Sequence, residues 1–174
     1  MRPVYHAVLA PVGALLMYGS TPVPHSPAVA ADGVPLKLNE YVTVTVYASK
    51  PWNWSHIKLV KDQRYKFTVA SPEWNNGSRE TTAAGYEDGL PTLTRRHQGH
   101  KLMALIGEIY GSDNDVTSYT GVGLLIGLGR EYTATRTGIL VTAANDCGLG
   151  ASAAAPLCYA DNSRVVTLTI KRIE

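Results

Sequence analysis

The segment Tyr41–Ala48 reads YVTVTVYA, so valine alternates with threonine or tyrosine along most of its length. Successive side chains of a β-strand point to opposite faces, and this period of two predicts a strand with one valine face buried. A helix is excluded here, because its buried face would need apolar residues every third or fourth position rather than every second. The segment therefore directs the search toward a β fold.

Short β-prone runs continue to the end of the chain, separated by Gly, Asp, Asn and Thr. They are residues 56–60, 65–69, 102–109, 122–128, 131–135, 138–144 and 165–173. The polar residues 61–63 predict a hairpin-like turn, the glycines of 122–129 a bulged or closely approached strand, and residues 74–91 a long polar loop. With no sustained helical period, the pattern predicts an all-β fold, an antiparallel β-sandwich that is jelly-roll-like.

The first residues have the features of a secretory signal peptide. Met1-Arg2 supplies positive charge, residues 7–19 are apolar, and Ala28-Val29-Ala30 forms a small-residue cleavage site. We expect residues 1–31 to be a signal peptide, or else a disordered N-terminal segment, and residues 32–174 to form a single domain. The product would be exported, to the periplasm or outside the cell.

Composition excludes several classes of function. The chain has 174 residues, 45% of them hydrophobic and 17% charged, which is enough apolar material for the core of one domain. The net charge is +2 and the basic residues are scattered, so nucleic acid is a poor partner. No segment is long and apolar enough to span a membrane, and no nucleophile elbow or carboxylate pair indicates an enzyme. The sequence leaves the oligomeric state open.

The chain has two cysteines, Cys147 and Cys158, at the two ends of a Gly/Ala-rich segment. In an oxidising compartment they should form a disulfide, which would stabilise so short a loop by about 2–3 kcal/mol. Two unpaired small hydrophobic residues are the alternative.

Oxygen-bearing side chains cluster at the ends of the same segment: Asp146 precedes it, and Asp161 and Asn162 follow it. Carboxylate, amide and carbonyl oxygens are the ligands of calcium, which binds about six to eight of them. Asp and Asn are also common in turns, where their side chains bond to the backbone. Composition alone does not decide between a calcium site and turns.

A wider set of positions resembles the bacterial galactophilic lectin (LecA-like) family of β-sandwich proteins. The first frame is Trp52-Asn53, Ile57, Leu59, Gln63, Tyr65, Phe67, Trp74, Leu105-Ile106-Gly107 and Ile109, and the second is Ile126-Gly127, Thr137-Gly138, Leu140, Ala144-Asn145-Asp146 and Tyr159-Ala160-Asp161-Asn162-Ser163. The likeness spans nearly all of residues 41–173. Its most specific part is the Asn-Asp pair together with Tyr-Ala-Asp-Asn-Ser before the last strand.

The resemblance implies one calcium ion at the tip of the loop. Its ligands would be the side chains of Asp146, Asp161 and Asn162, the backbone carbonyl of Cys158 and a backbone carbonyl after Trp74, at Asn76. The chain departs from the family in its longer segment 147–157, in Asp161 where the family has Asn, and in Arg164 where the family has Gly.

The resemblance also implies a galactose-type sugar that completes the calcium shell with two hydroxyls. Asp146, Asp161 and Asn162 would bond to the same sugar, and His97 lies in the region of a sugar-binding histidine of the family. We disfavour His97 and His100 as a zinc site, because no helix or nearby Glu supports one. We expect the aromatic residues, Trp52, Trp54, Trp74 and Tyr86, to fill the core or hold loops rather than to bind sugar.

The predicted function is therefore calcium-dependent carbohydrate binding by an exported lectin-like protein that is not an enzyme. The alternative is an exported structural or protein-interaction β-sandwich in which calcium is structural or absent.

Overall fold

The computed structural model describes residues 33–89, 96–111, 123–146 and 158–174. Thirteen strands lie in these ranges. They are β1 (Val34–Pro35), β2 (Tyr41–Tyr47), β3 (Asn53–Leu59), β4 (Arg64–Ala70), β5 (Glu73–Asn76), β6 (Arg79–Thr82), β7 (Ala84–Tyr86), β8 (Leu102–Tyr110), β9 (Leu124–Leu125), β10 (Gly129–Thr133), β11 (Gly138–Ala144), β12 (Asn162–Ser163) and β13 (Val165–Arg172). The predicted signal peptide, residues 1–31, and Cys147 lie outside the described residues.

The strands form three sheets. The largest has the order β1-β3-β11-β8-β7, with β9 also paired to β8; the second has the order β10-β4-β13-β2, and the smallest the order β12-β5-β6. Every described pairing is antiparallel except that of β1 with β3. In the described ranges there is no helix that is long and apolar enough to cross a membrane.

One buried cluster joins the two larger sheets. Val46, Phe67 and Leu168 contribute to it from the β10-β4-β13-β2 sheet, and Leu105 and Leu140 from the other sheet. Burying these apolar faces against each other is the main favourable contribution to folding. The predicted all-β antiparallel sandwich is confirmed.

The prediction of a hairpin at residues 61–63 is wrong. The turn is tight, since the N–H of Gln63 donates to Val60 O over 3.1 Å. However, β3 pairs with β1 and β11, whereas β4 pairs with β10 and β13, so the chain crosses here from one sheet to the other. Leu59 and Tyr65 then meet the same core from opposite sides.

The prediction of a long polar loop at residues 74–91 is also wrong for most of that range. Residues 73–82 form the β5–β6 hairpin, in which Asn76 pairs with Arg79, and β7 follows at once. The turn uses Gly77 at a φ of 56°, a conformation that glycine adopts without steric cost. The two turn residues between Asn76 and Arg79 are therefore Gly77 and Ser78, and Gly-Ser is a hairpin signal that the polar composition obscured.

The strand predicted at residues 122–128 is reduced to the two residues of β9. After it the N–H of Gly129 donates to Ile126 O over 3.0 Å, which closes a turn. Gly129 has a φ of 127°, and a Cβ there would lie 2.8 Å from Phe67 O. The prediction of a close backbone approach thus holds at Gly129, where β10 meets β4.

The hydroxyl of Tyr65 ties the crossing turn to the core. It accepts a bond from the N–H of Val60 at 2.9 Å and donates to Gln63 Oε1 at 3.0 Å, and burial raises the pKa of Tyr65. We expect Tyr65→Phe to cost about 1–2 kcal/mol in the free energy of unfolding, because Val60 loses its acceptor. Urea denaturation measures this, with Tyr41→Phe as a control, since Tyr41 is 68% exposed. Equal stabilities of the two variants would contradict this role for the hydroxyl.

Candidate functional site

Three of the predicted calcium ligands, Asp146, Asn162 and Asn76, come together where the smallest sheet meets the end of β11. Asp146 follows β11, and Asn162 begins β12. β12 pairs with β5, so that Asn162 lies opposite Asn76 and Ser163 opposite Asn75. The β5–β6 hairpin and residues 158–162 are thereby placed side by side, although they are far apart in sequence.

Asn162 is the buried centre of this arrangement, with 4% of its surface exposed. Its Nδ2 donates to Asp146 Oδ2 at 2.8 Å and lies 3.4 Å from Ala48 O. These contacts fix the amide plane, and its Oδ1 is buried with no hydrogen-bond partner among the described residues. A buried acceptor without a donor costs free energy unless a donor or a cation approaches it.

Asp161 lies against the hairpin turn. The N–H of Gly77 donates to Asp161 O over 3.1 Å, and a Cβ on Gly77 would lie 3.2 Å from Asp161 Oδ2. The absence of a side chain at Gly77 therefore lets the Asp161 carboxylate approach the hairpin next to Asn76. The neighbouring residue on β5, Asn75, has a second buried amide oxygen, Oδ1, for which the described ranges supply no partner.

The predicted donor set has the oxygen chemistry that calcium accepts. Among the described residues there is no group of three or more His, Cys, Asp or Glu that could hold a metal ion. The predicted set has only two carboxylates, Asp146 and Asp161, and is completed by the amide of Asn162 and backbone carbonyls. Calcium accepts such a mixture of hard oxygens in flexible geometry.

Cys158 and Tyr159 connect the site to the core. Tyr159 is fully buried, and its hydroxyl donates to Ala144 O at 3.0 Å, which fixes the carbonyl-bearing segment 158–162 beneath β11. The preceding residue, Cys158, is half-buried and is not a free cysteine. Its predicted partner Cys147 is outside the described residues, so the disulfide stays a prediction.

Arg96 supports the site from the other side. Its backbone N–H donates to Asp146 O over 2.8 Å, and its guanidinium carbon lies 3.6 Å from the ring centre of Trp52 and 5.6 Å from that of Tyr159. Arg96 is 7% exposed, and it also donates to Pro51 O. Trp52 thus packs beneath the site, in keeping with the structural role expected for it.

Asn145 is a site residue whose individual role the sequence did not reveal. Its side chain is fully buried. Its Oδ1 accepts from the N–H of His97 at 2.8 Å, and its Nδ2 lies 3.0–3.1 Å from the carbonyl oxygens of His97, His100 and Lys101. One side chain therefore shapes the 97–101 turn beside Asp146.

His97, the predicted sugar contact, faces inward. Its Nε2 lies 2.7 Å from Glu108 Oε1, and its side chain is 13% exposed. Glu108 is 3% exposed and also accepts from the Tyr110 hydroxyl at 2.8 Å. The Nε2 atom of His97 is thus engaged with Glu108, and sugar contact by His97 stays a prediction.

Comparisons with known proteins support a lectin-like fold. No protein-family model matches the chain, and no curated protein matches it. A solved structure described as the EclA N-terminal domain, a PllA-like lectin, superposes with a TM-score of 0.50 at 14% identity, covering 75% of this chain and 94% of that chain. At this identity the likeness shows the fold, a β-sandwich like that of a lectin.

Proposed function

We propose that this protein is an exported, calcium-dependent carbohydrate-binding protein of the lectin type. The observation that carries the proposal is the buried Oδ1 of Asn162, which has no hydrogen-bond partner in the part of the chain that the structure describes, while the amide nitrogen beside it bonds to Asp146. An oriented acceptor next to a carboxylate is the arrangement expected of a cation ligand. The lectin-like sandwich adds support for carbohydrate as the ligand class.

Each residue of the proposed site has a distinct task. Asn162 directs Oδ1 toward the ion because its Nδ2 is bonded to Asp146 and lies near Ala48 O. Asp146 and Asp161 supply negative charge that balances a divalent ion. The carbonyls of Asn76 and Cys158 would add neutral oxygens from the two flanking segments.

A bound water is the other group that could satisfy Asn162 Oδ1. A buried water makes about two to four hydrogen bonds and carries no charge. A water would add no positive charge beside the carboxylates of Asp146 and Asp161, whereas a divalent cation would balance both. The charge of the surroundings therefore favours the ion.

Calcium, when bound, offers coordination positions that two neighbouring sugar hydroxyls can fill. The carboxylates of Asp146 and Asp161 and the amide of Asn162 then accept hydrogen bonds from the same hydroxyls. Because these acceptors are held by backbone and side-chain contacts, binding would depend on the stereochemistry of the sugar. We propose a galactose-type sugar on the strength of the family resemblance.

Export and the disulfide belong to the same proposal. Residues 1–31 would direct the chain out of the cytoplasm, where Cys147 and Cys158 could oxidise. The bridge would then tie the end of β11 to the segment that carries Asp161 and Asn162. It would limit the motion of the ligand-bearing segment, which lowers the entropy cost of binding the ion.

The test is thermal unfolding in chelator, then with calcium, then with calcium and a panel of galactose-containing and other glycans. Calcium at about 100 times its Kd adds about 2.7 kcal/mol, which raises the midpoint by about 5–10 °C for a domain of this size. We expect Asp146→Ala to abolish that rise. Glu73→Ala is the matched control, because it removes an exposed carboxylate from β5 without touching the ligand set.

The three measurements separate the candidate functions. A calcium shift followed by a further rise with galactose-containing glycans supports the lectin proposal. A calcium shift with no response to any glycan favours a structural or protein-interaction sandwich with a structural ion. If calcium does not change the midpoint, or if Asp146→Ala retains the full shift, the site assignment fails.

A further inference from the structure

The edge strand β2 differs from every other sheet edge in the described part of the chain. β1, β9 and β12 have two residues each, β7 has three, β6 carries Arg79 and Glu80, and β10 carries Arg130 and Glu131. Short length, charge and proline are the usual means by which proteins protect sheet edges from pairing with other chains. β2 has seven residues, reads YVTVTVY, and contains no charge, proline or glycine.

The free side of β2 is regular and open. β2 pairs with β13 without a register break from Tyr41 to Tyr47. The N–H of Arg172 donates to Glu40 O, and the N–H of Ala48 donates to Arg164 O. Residues with even numbers therefore bond to β13, and in an antiparallel ladder the odd-numbered residues direct their N–H and C=O groups away from it.

Three of those outward-facing residues are available for pairing. The N–H of Tyr47 donates to Asn53 Oδ1 at 2.9 Å, and Tyr47 O accepts from Asn53 Nδ2 at 3.1 Å, so this end of the edge is already occupied. Tyr41, Thr43 and Thr45 have no second strand against them among the described residues. Within the described part of the chain, their outward-facing N–H and C=O groups therefore pair with no other strand.

We propose that β2 pairs antiparallel with β2 of a second copy of this chain, with the twofold axis at Thr43. This register sets Thr43 opposite Thr43 of the second copy and Tyr41 opposite Thr45 of the second copy. It uses all three available residues of each strand and leaves the Asn53 contacts intact. The two four-stranded sheets become one continuous sheet.

Charge and side-chain chemistry support the self-pairing. A strand without charged residues brings no like charges together in an isologous interface. Thr43 and Thr45 point to the outer face, where Thr43 already bonds Thr169 at 3.2 Å between hydroxyls. On the inner face, Val42 and Val44 are only half-buried in the single chain, and the second copy would cover them.

The test is the mass of the full chain in solution, by light scattering after gel filtration and by sedimentation across a concentration series. We expect twice the chain mass of 18.7 kDa. Thr43→Pro removes an outward N–H that bonds nothing in β13, and Thr43→Lys adds the charge that protected edges carry. Both variants should be monomers with an unchanged β-sheet circular dichroism spectrum.

Thr68→Lys is the matched control. Thr68 is also exposed, but it lies on the inner strand β4, opposite Thr169, so the same charge is added away from the edge. This variant should remain a dimer. If Thr43→Pro does not fold, Thr43→Lys decides the matter. A monomeric wild-type protein, a dimer that survives the Thr43 variants, or a mass that keeps growing with concentration would overturn the proposal.

Discussion

Trp74→Ala is expected to lower the free energy of unfolding by about 3–5 kcal/mol, the range for deleting a large buried aromatic side chain. Trp74 has no exposed surface, and it is the largest of the fully buried side chains. Its indole N–H donates to Met103 O at 3.1 Å, so the substitution also leaves a buried carbonyl without its donor. β5 would lose its anchor to β8.

The functional consequence follows from the position of Trp74 two residues before Asn76. If β5 loosens, its pairing with β12 weakens and Asn162 is less well placed opposite Asn76. We therefore expect a smaller calcium-induced rise in the unfolding midpoint as well as a lower starting stability. Urea denaturation in chelator and the calcium titration measure the two effects separately.

Trp54→Ala is the control for tryptophan loss. Trp54 is 44% exposed on β3 and contacts the Tyr110 ring at 5.8 Å between centres. Its removal should cost about 1–2 kcal/mol and leave the calcium response unchanged. If Trp74→Ala costs no more than Trp54→Ala, then Trp74 does not anchor the hairpin.

The sequence predicted the strands better than their partners. The period-two pattern of residues 41–48 predicted β2, and residues 138–144 are β11 without change. Alternation says which face of a strand is buried, and it does not say which strand lies beside it. Strands β3 and β4 both bury one face in the same core, and the tight turn between them fits a hairpin as well as a crossing between sheets.

The site was predicted as a set of residues rather than as an arrangement. Composition indicated Asp146, Asp161 and Asn162, and the family resemblance added the carbonyls of Cys158 and Asn76. The structure brings Asn162 against Asp146 and opposite Asn76. That Asn162 would be the buried member while Asp161 is exposed depends on the pairing of β12 with β5, which no local pattern encodes.

The structural role of Asn145 could have been predicted from its position in the sequence. It directly follows β11, in which all seven residues from Gly138 to Ala144 are buried. A polar residue at the end of a wholly buried strand must find partners for its side chain, because a buried amide without hydrogen bonds is costly. The neighbouring Asp146 differs in that its carboxylate predicts metal binding.

Asn145→Ala is expected to cost about 2–3 kcal/mol in the free energy of unfolding. The N–H of His97 loses its acceptor, and the carbonyls of His97, His100 and Lys101 lose a shared donor. Removing one partner of a buried hydrogen bond costs about 1–3 kcal/mol, and the exposed residues Gln98 and Gly99 let water compensate part of the remainder.

Asn145→Asp tests the acceptor role and the donor role of this side chain separately. A carboxylate still accepts from the N–H of His97, but it has no N–H group to donate to the three carbonyls. Its oxygen would then face three carbonyl oxygens, so we expect Asn145→Asp to be at least as destabilising as Asn145→Ala. Hydrogen exchange should quicken at the amide of Arg96, which bonds to Asp146 O, and at the amide of His97.

The 97–101 turn would be held by other contacts if Asn145→Ala stayed within about 0.5 kcal/mol of wild type, the usual range for surface substitutions. Faster exchange at Arg96 together with weaker calcium binding would instead indicate that Asn145 holds Asp146 in place through the turn beside it.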